Sequence, residues 1–522
     1  MSPIDSITRR AALGAGALAA LALGRFGPAA AAETIARGRV VEAHPHRTRP
    51  VPGVLVSNGL HVVRTDEDGR YALPVRDGVF VVKPAHWTVP LDVRTGAPAF
   101  AYTHRPFGSP SGLAHGGLAA TGPLPQSIDF VLERSPEPAA FRAVLFADPQ
   151  PADKRELAFL RSAMSKMCAE HKFAFGVGLG DIASDNLGVY DDYQREAARL
   201  GVPVWHIPGN HDHDTDAPDA RFRLDTWRGR FGPPTYAFEH AGALFVMLDN
   251  VHVRPGGSYV GRIGEAGLAF VRNLLALTSP EKLVVLCTHI PLTSSLAEDP
   301  SCATSDAADL LRLIEGRRAV SFSGHMHTSE HHYLPMPTGP HHHHQVISAL
   351  SGSWWSGPFD TLGRPLSISS DGTPHGWHSL SIDGDDYHTA FTPARDDAVA
   401  RLILGQGRSE AACGASLEIV RADIASKDLL VNVFDGGPRT SVFVDMGGAR
   451  HALRRVHLAD PYTEQMFREA GASLKFWVRA EKSSHLWVLD GDVPATALEG
   501  ARLTLVDEFG RTRIEGAELF RS

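Results

Sequence analysis

Mostly apolar runs of strand length recur through the middle of the chain, at 141–147, 173–179, 202–207, 282–288 and 319–323. Runs without polar alternation belong to strands covered on both faces, as in parallel sheets. Between them the apolar positions take helical spacing, as with Leu157, Leu160, Met164 and Met167 within 154–170, and helices are also predicted over 188–200, 264–277 and 305–316. Such alternation predicts parallel strands joined by right-handed crossovers. Before this stretch, short Val-rich runs at 53–57, 60–65, 71–75 and 79–83 lie between turn signals and predict a small β sandwich. Asp66-Glu67-Asp68-Gly69 is read as one of its hairpin turns and 95–126 as a long covering loop. After Ala394 the pattern changes again. A helix is expected over 397–404, followed by strands over 417–421, 429–434, 440–445, 475–480 and 501–506.

Each central strand ends in side chains able to hold a metal. The ends are Asp148-Pro149-Gln150, Gly180-Asp181, Gly209-Asn210-His211-Asp212, His289 and Gly324-His325-Met326-His327. In an open α/β sheet the carboxyl ends of parallel strands share one crevice, so these groups are expected to converge. Taken singly, each has a plain structural role: an aspartate as helix cap, an asparagine as turn residue, a histidine packed in a core. Their joint placement at successive strand ends carries the inference. Carboxylate, amide and imidazole without thiolate suit Mn, Fe or Zn. Gly176-Val177-Gly178-Leu179-Gly180 lacks the spacing of a dinucleotide fingerprint.

In that order the motifs resemble the calcineurin-like metallophosphoesterase superfamily. The small β domain before them and the β-rich tail after them resemble a bacterial exported subfamily with its own terminal domains. The resemblance implies an α/β fold: a metallophosphoesterase core, a β sandwich flanked by helices with a β-α-β-α-β motif, plus two flanking β-rich domains. It further implies two metal ions. Asp148 and His327 would hold the first, Asn210, His289 and His325 the second, and Asp181 would bridge them. Gln150 stands where the family's first motif carries a histidine, and offers site one a neutral amide oxygen instead. Phosphate mono- or diesters would be hydrolysed by a metal-bridging hydroxide attacking phosphorus in line. His211 would protonate the leaving oxygen, oriented by Asp185 or Asp212. The alternatives are a catalytically weak metal-containing binding protein of the cell envelope and a hydrolase of other bonds using one zinc.

The expected organisation is a signal peptide over 1–32, an N-terminal β sandwich over 33–138, the catalytic domain over 139–395 and a β-rich accessory domain over 396–522. Ser6 to Leu13, with the pair Arg9-Arg10, precedes an Ala/Leu/Gly run and small residues at 29–32, the pattern of a twin-arginine export signal leading to a periplasmic or secreted protein. No transmembrane segment is expected in the mature chain. Formal net charge is -8, and removal of Arg9, Arg10, Arg25 and Asp5 with the signal leaves -10. An acidic chain argues against nucleic-acid binding beyond a nucleotide substrate. The four cysteines show no C-x-x-C spacing, and Cys302 and Cys413 lie in loop-like sequence where they could pair. The run His341 to His344 sits among Pro and Gly and is read as a solvated loop, while His206 is expected beneath the site and His213 beside substrate. Trp354, Trp355 and Trp377 suit either a substrate rim or a bridge between domains.

Overall fold

A computed structural model describes residues 34–519 apart from 45–46, 94, 171, 255–256, 297–298, 406–415, 423–428 and 490–499. The export signal and Cys413 therefore lie outside the described residues. The chain from Ile35 onward forms one compact unit.

Two sheets face each other at its centre. The first runs Val204–Ile207, Phe175–Leu179, Ala140–Phe146, Gly376–Asp383, Asp386–Pro393, with the first three parallel and the last two antiparallel. The second runs Tyr236–His240, Ala243–Leu248, Leu283–Thr288, Ala319–Ser323, His342–Val346, Glu330–Leu334, with parallel pairing from Ala243–Leu248 through His342–Val346. Their inner faces interlock through aromatic rings: Phe175 meets Phe245 edge-on at 5.0 Å and Trp205 stacks on Phe238 at 4.3 Å. The helix Lys154–Glu170 lays Leu160, Met164 and Met167 on the outer face of the first sheet, beside Tyr190, Tyr193 and Trp227. The core is thus a β sandwich flanked by helices, with the crossovers that the alternating pattern predicts.

Residues before the core build a five-stranded and a four-stranded sheet, and Phe80 reaches the core helix Gly264–Ala276 through an edge contact with Phe270 at 6.0 Å. The Asp66–Gly69 turn forms as expected, closed by Gly69 N–H donating to the Asp66 carbonyl at 2.9 Å. After the core come another five-stranded and another four-stranded sheet.

Three local expectations fail for physical reasons. Ala400–Gly405 is a strand rather than a helix, fully buried and paired on both edges, with Leu417–Ala422 and Leu429–Val433. Its run Leu402-Ile403-Leu404 is too short for periodicity to tell a buried strand from a buried helix. Residues 475–480 form no strand but a turn closed by Val478 N–H on the Lys475 carbonyl, and the helix Pro461–Ala470, capped by Asp460, precedes them. His342–Val346 is a buried interior strand rather than a solvated loop. Its imidazoles find buried partners: His342 and His344 meet the Ser321 hydroxyl at 2.8 Å and 2.7 Å, and His343 meets the Tyr387 hydroxyl at 2.8 Å.

Candidate metal centre

Six polar residues at the strand ends adopt left-handed backbone: Asp148, Gln150, Asp181, Asp185, His325 and His327 have φ between 36° and 74°. L-residues with side chains rarely sit there, at a cost of roughly 1–3 kcal/mol each, so the surroundings must hold them. They do so by cross-bonding the loops. Asp148 N–H donates to the Gly180 carbonyl at 3.2 Å, Gln150 N–H to the Asp181 carbonyl at 3.1 Å, and His325 N–H to the Asp148 carboxylate at 2.9 Å. His211 N–H donates to Asp181 Oδ1 at 2.9 Å. Gly209 passes so close to Asp181 that a side chain there would collide with its carboxylate and amide.

The three predicted imidazole ligands share one arrangement. His289 Nδ1 lies 2.8 Å from the Leu179 carbonyl, His325 Nε2 lies 3.1 Å from the Ser301 carbonyl and His327 Nδ1 lies 2.6 Å from the Gly352 carbonyl. A carbonyl only accepts, so each of these nitrogens carries a proton; burial leaves the other nitrogen of His325 and His327 with a lone pair, while Asp181 raises His289 to about 9 despite burial and holds on its other nitrogen a proton that a cation would displace. His289 Nε2 then faces Asn210 Oδ1 at 3.1 Å and Asp181 Oδ1 at 3.4 Å, while His327 Nε2 faces Gln150 Oε1 at 2.9 Å and Asp148 Oδ1 at 3.9 Å. Ligand atoms of Asp181, His289 and His325 all lie within 4.8 Å of one another.

Acceptor atoms gathered this closely in two clusters repel unless a proton or a cation lies between. That donor set fits a pair of cations. Buried N–H donation to a carbonyl is also how metal-ligating imidazoles are fixed in tautomer and orientation. Gln150 turns its oxygen toward His327 and its Nε2 toward Asp181 Oδ2 at 3.0 Å, so the amide takes part in the cluster. Electrostatics follow the same grouping. Burial and the Asp181 charge push the Asp148 carboxyl up to about 8, and burial pushes His325 and His327 down to about 3 and about 4. Burial would raise Asp181, but His289 and His211 hold it well below the ordinary carboxylate range.

His211 stands apart. Its Nδ1 meets Asp185 Oδ1 at 2.8 Å, and despite burial the charges of Asp181 and Asp185 raise it to about 9. Of the two carboxylates expected to orient it, Asp185 does so. Asp212 is fully buried and spent elsewhere, accepting from the amides of Gly209, Ile182 and Ala183 at 2.8 to 3.1 Å and from the Tyr190 hydroxyl at 2.9 Å. It holds the two loops together. His206 packs under the site on the Tyr193 hydroxyl at 3.0 Å, and His213 is buried with both ring nitrogens unpartnered among the described residues.

Family models match along three consecutive stretches: "N terminal of Calcineurin-like phosphoesterase" over residues 36–110, "Calcineurin-like phosphoesterase" over 141–329 and "C terminal of Calcineurin-like phosphoesterase" over 344–512. The chain belongs to the calcineurin-like phosphoesterase family. It is a metallophosphoesterase, and a phosphoester substrate fits its family. No curated protein matches it in sequence. Solved structures similar to this phosphoesterase include a dimetal phosphatase from Danio rerio, at 17% identity over 49% of this chain and 96% of that one with a TM-score of 0.36. They also include a purple acid phosphatase from yellow lupin seeds, at 12% identity over 74% and 69% of the two chains with a TM-score of 0.36. GAP50 of Plasmodium is similar at 15% identity over 50% and 86%, with a TM-score of 0.33.

One contributor to the phosphoesterase site escaped sequence reasoning. Asn250 follows the strand Ala243–Leu248 and accepts the amides of His289 and Ile290 at 3.2 Å and 3.1 Å, fixing the turn that presents His289. An asparagine ending a buried strand was a readable signal. Of the aromatic residues expected at a substrate rim or domain bridge, Trp354 lies flat on the His327 ring, centroids 3.6 Å apart, and Trp355 Nε1 donates to the Pro149 carbonyl at 2.7 Å inside the first motif.

Proposed function

We propose that the centre hydrolyses phosphate esters with His211 as the acid that protonates the leaving oxygen, and that Asp148, Gln150 and His327 hold one metal ion and Asn210, His289 and His325 the other, bridged by Asp181. The observation that carries this reading is the shared anchoring of His289, His325 and His327, each held by one N–H on a backbone carbonyl, through Nδ1 in His289 and His327 and through Nε2 in His325, so that its other nitrogen joins the oxygens of Asp148, Gln150, Asp181 and Asn210. The donor set favours Mn, Fe or Zn over Mg or Ca. Two such ions, when bound, supply charge that offsets the phosphoryl oxygens and acidifies coordinated water. The chain's own part is positional. Asp181, ionised and gripped by the His211 amide, fixes the spacing between the two ligand groups. Asp185 accepts the hydrogen bond of His211 Nδ1–H, so Nε2 is left to face the ester and deliver its proton to the departing alkoxide.

The defining experiment is hydrolysis of a chromogenic phosphate ester by manganese-reconstituted protein, with metal counted per chain. Turnover with about two metals per chain is expected. Bound metal without turnover would favour the envelope binding protein, and one zinc per chain the mononuclear alternative. Export belongs to the same proposal and rests on Arg9-Arg10 and the apolar run after it. Replacing both arginines with lysine is expected to leave the protein in the cytoplasmic fraction. Equal export of that variant would remove the twin-arginine route.

A further inference from the structure

The turn between the helix Pro461–Ala470 and the strand Lys482–Leu489 carries Phe476 and Trp477 at its tip. Tips of tight turns favour Gly, Asn, Asp or Pro, each for a conformational reason, and two large aromatic rings meet none of them. Nor are the rings buried: Phe476 is 94% exposed and Trp477 45% exposed. Yet the tip is held in place. Lys475 Nζ pairs with Glu156 in the first turn of Lys154–Glu170 at 3.0 Å and lies 5.9 Å over the Trp477 ring. Val478, next along, is buried against Ile368 and Phe467.

This tip is joined ring by ring to the centre. His327 is covered face-on by Trp354, whose φ of 54° is the strained conformation that places it there. Trp477 meets Trp354 edge-on at 6.4 Å, and Phe476 meets Trp477 edge-on at 4.8 Å. Two perpendicular, solvent-facing rings next to a partly buried one form an open corner with one flat wall and one edge, which suits a flat ring arriving from solvent. Aliphatic alcohols would gain little from such a corner.

We infer that Trp477 and Phe476 form the subsite for the alcohol part of the ester, and that the substrates carry a flat aromatic ring there, as a nucleoside does. This rests on the phosphoesterase reading of the adjoining centre and names its substrate class. The test uses the manganese-loaded full chain and compares inhibition of chromogenic-ester hydrolysis by adenosine 5′-monophosphate and by glycerol 3-phosphate. Stacking on an exposed aromatic is worth roughly 1–3 kcal/mol per base, so a preference of about tenfold or more for the adenosine compound is expected. Trp477→Ala is expected to collapse that ratio, and Trp477→Phe to restore most of it. Equal inhibition by the two compounds, or a ratio untouched by Trp477→Ala, would overturn the proposal. So would Trp477-dependent sedimentation with phosphatidylglycerol vesicles in the absence of an adenosine preference, which would assign the tip to a lipid surface. Should no ester be hydrolysed, the phosphoesterase reading fails by itself. Calorimetric binding of adenosine, present in the wild type and lost in both Phe476→Ala and Trp477→Ala, still decides the platform.

Discussion

His211 differs from the other imidazoles of the centre in the partner of its anchored nitrogen. His289, His325 and His327 each spend one N–H on a neutral carbonyl, whereas His211 faces the carboxylate of Asp185 and keeps a side chain 32% exposed. A group so placed suits proton delivery better than ligation. His211→Ala is therefore expected to lower turnover roughly 10²- to 10⁴-fold while metal per chain, read by elemental analysis, stays at the wild-type value. Gln150→Ala should behave oppositely. It removes the oxygen facing His327 Nε2 and is expected to lower metal content first, with activity partly recovered by excess manganese. Loss of metal in the His211 variant, or full metal in the Gln150 variant, would reverse the two assignments. At this scale the sequence disclosed which residues gather but not how each is used. Asp212 follows His211 directly, yet the short 3₁₀ turn Asn210–Asp212 sends its carboxylate to three amides and a tyrosine instead of to the imidazole.

The elements that carry the site are loops closing on one another at the ends of parallel strands, and Gly209 shows how little room they leave. A methyl group on Gly209 would meet the Asp181 carboxylate and amide, so the loop bearing Asn210 and His211 would have to move away from the bridging aspartate. Gly209→Ala is expected to cost about 1–3 kcal/mol and to abolish stoichiometric metal binding. Gly201→Ala is the control. Gly201 has φ of 69° with open space around it, so strain of about 1 kcal/mol without loss of metal is expected. Thermal melting and metal counts on both variants separate general destabilisation from damage at the loop. These loops were legible because an apolar run followed by Gly and a polar residue has a strong physical meaning in a parallel sheet. His342–Val346 was not, because its five residues are polar or histidine apart from Val346 and reveal their burial only when Ser321 and Tyr387 come from other elements to satisfy them. Ala400–Gly405 was missed for the reverse reason, an apolar run whose partners lie on either side in space.

In the molecule as a whole, one of the ties that hold the sheets after the core to it is a largely buried carboxylate. Asp435, just past the strand Leu429–Val433, accepts from His331, His378 and Gln345 of the core at 3.1, 2.9 and 2.8 Å, all on a single oxygen. Nothing in the sequence near Phe434-Asp435-Gly436 pointed to this, since its partners lie 57 to 104 positions away. Burial opposes ionisation of Asp435, yet His378 and His331 hold its carboxyl well below the usual range; burial likewise opposes charge on His331, which Asp435 raises above its usual value. Glu508 adds to the raising of His331, while His343 stacks on its ring at 5.1 Å. A depressed carboxyl contributes stability above its unfolded value and loses it as pH falls through the folded one. A raised imidazole contributes below about 6.5 and loses its contribution as pH rises through the folded value. The pair is complete only between those limits. Asp435→Asn keeps the shape but removes the charge, and breaking a buried pair from one side typically costs about 3–5 kcal/mol. The melting temperature of Asp435→Asn should therefore fall furthest below wild type in mildly acidic buffer. The gap should narrow on the alkaline side, where His331 has lost its proton and the wild-type carboxylate keeps only neutral donors. A gap independent of pH would mean that Asp435 serves this joint as a hydrogen-bond acceptor alone, with its charge irrelevant to how the C-terminal sheets are held.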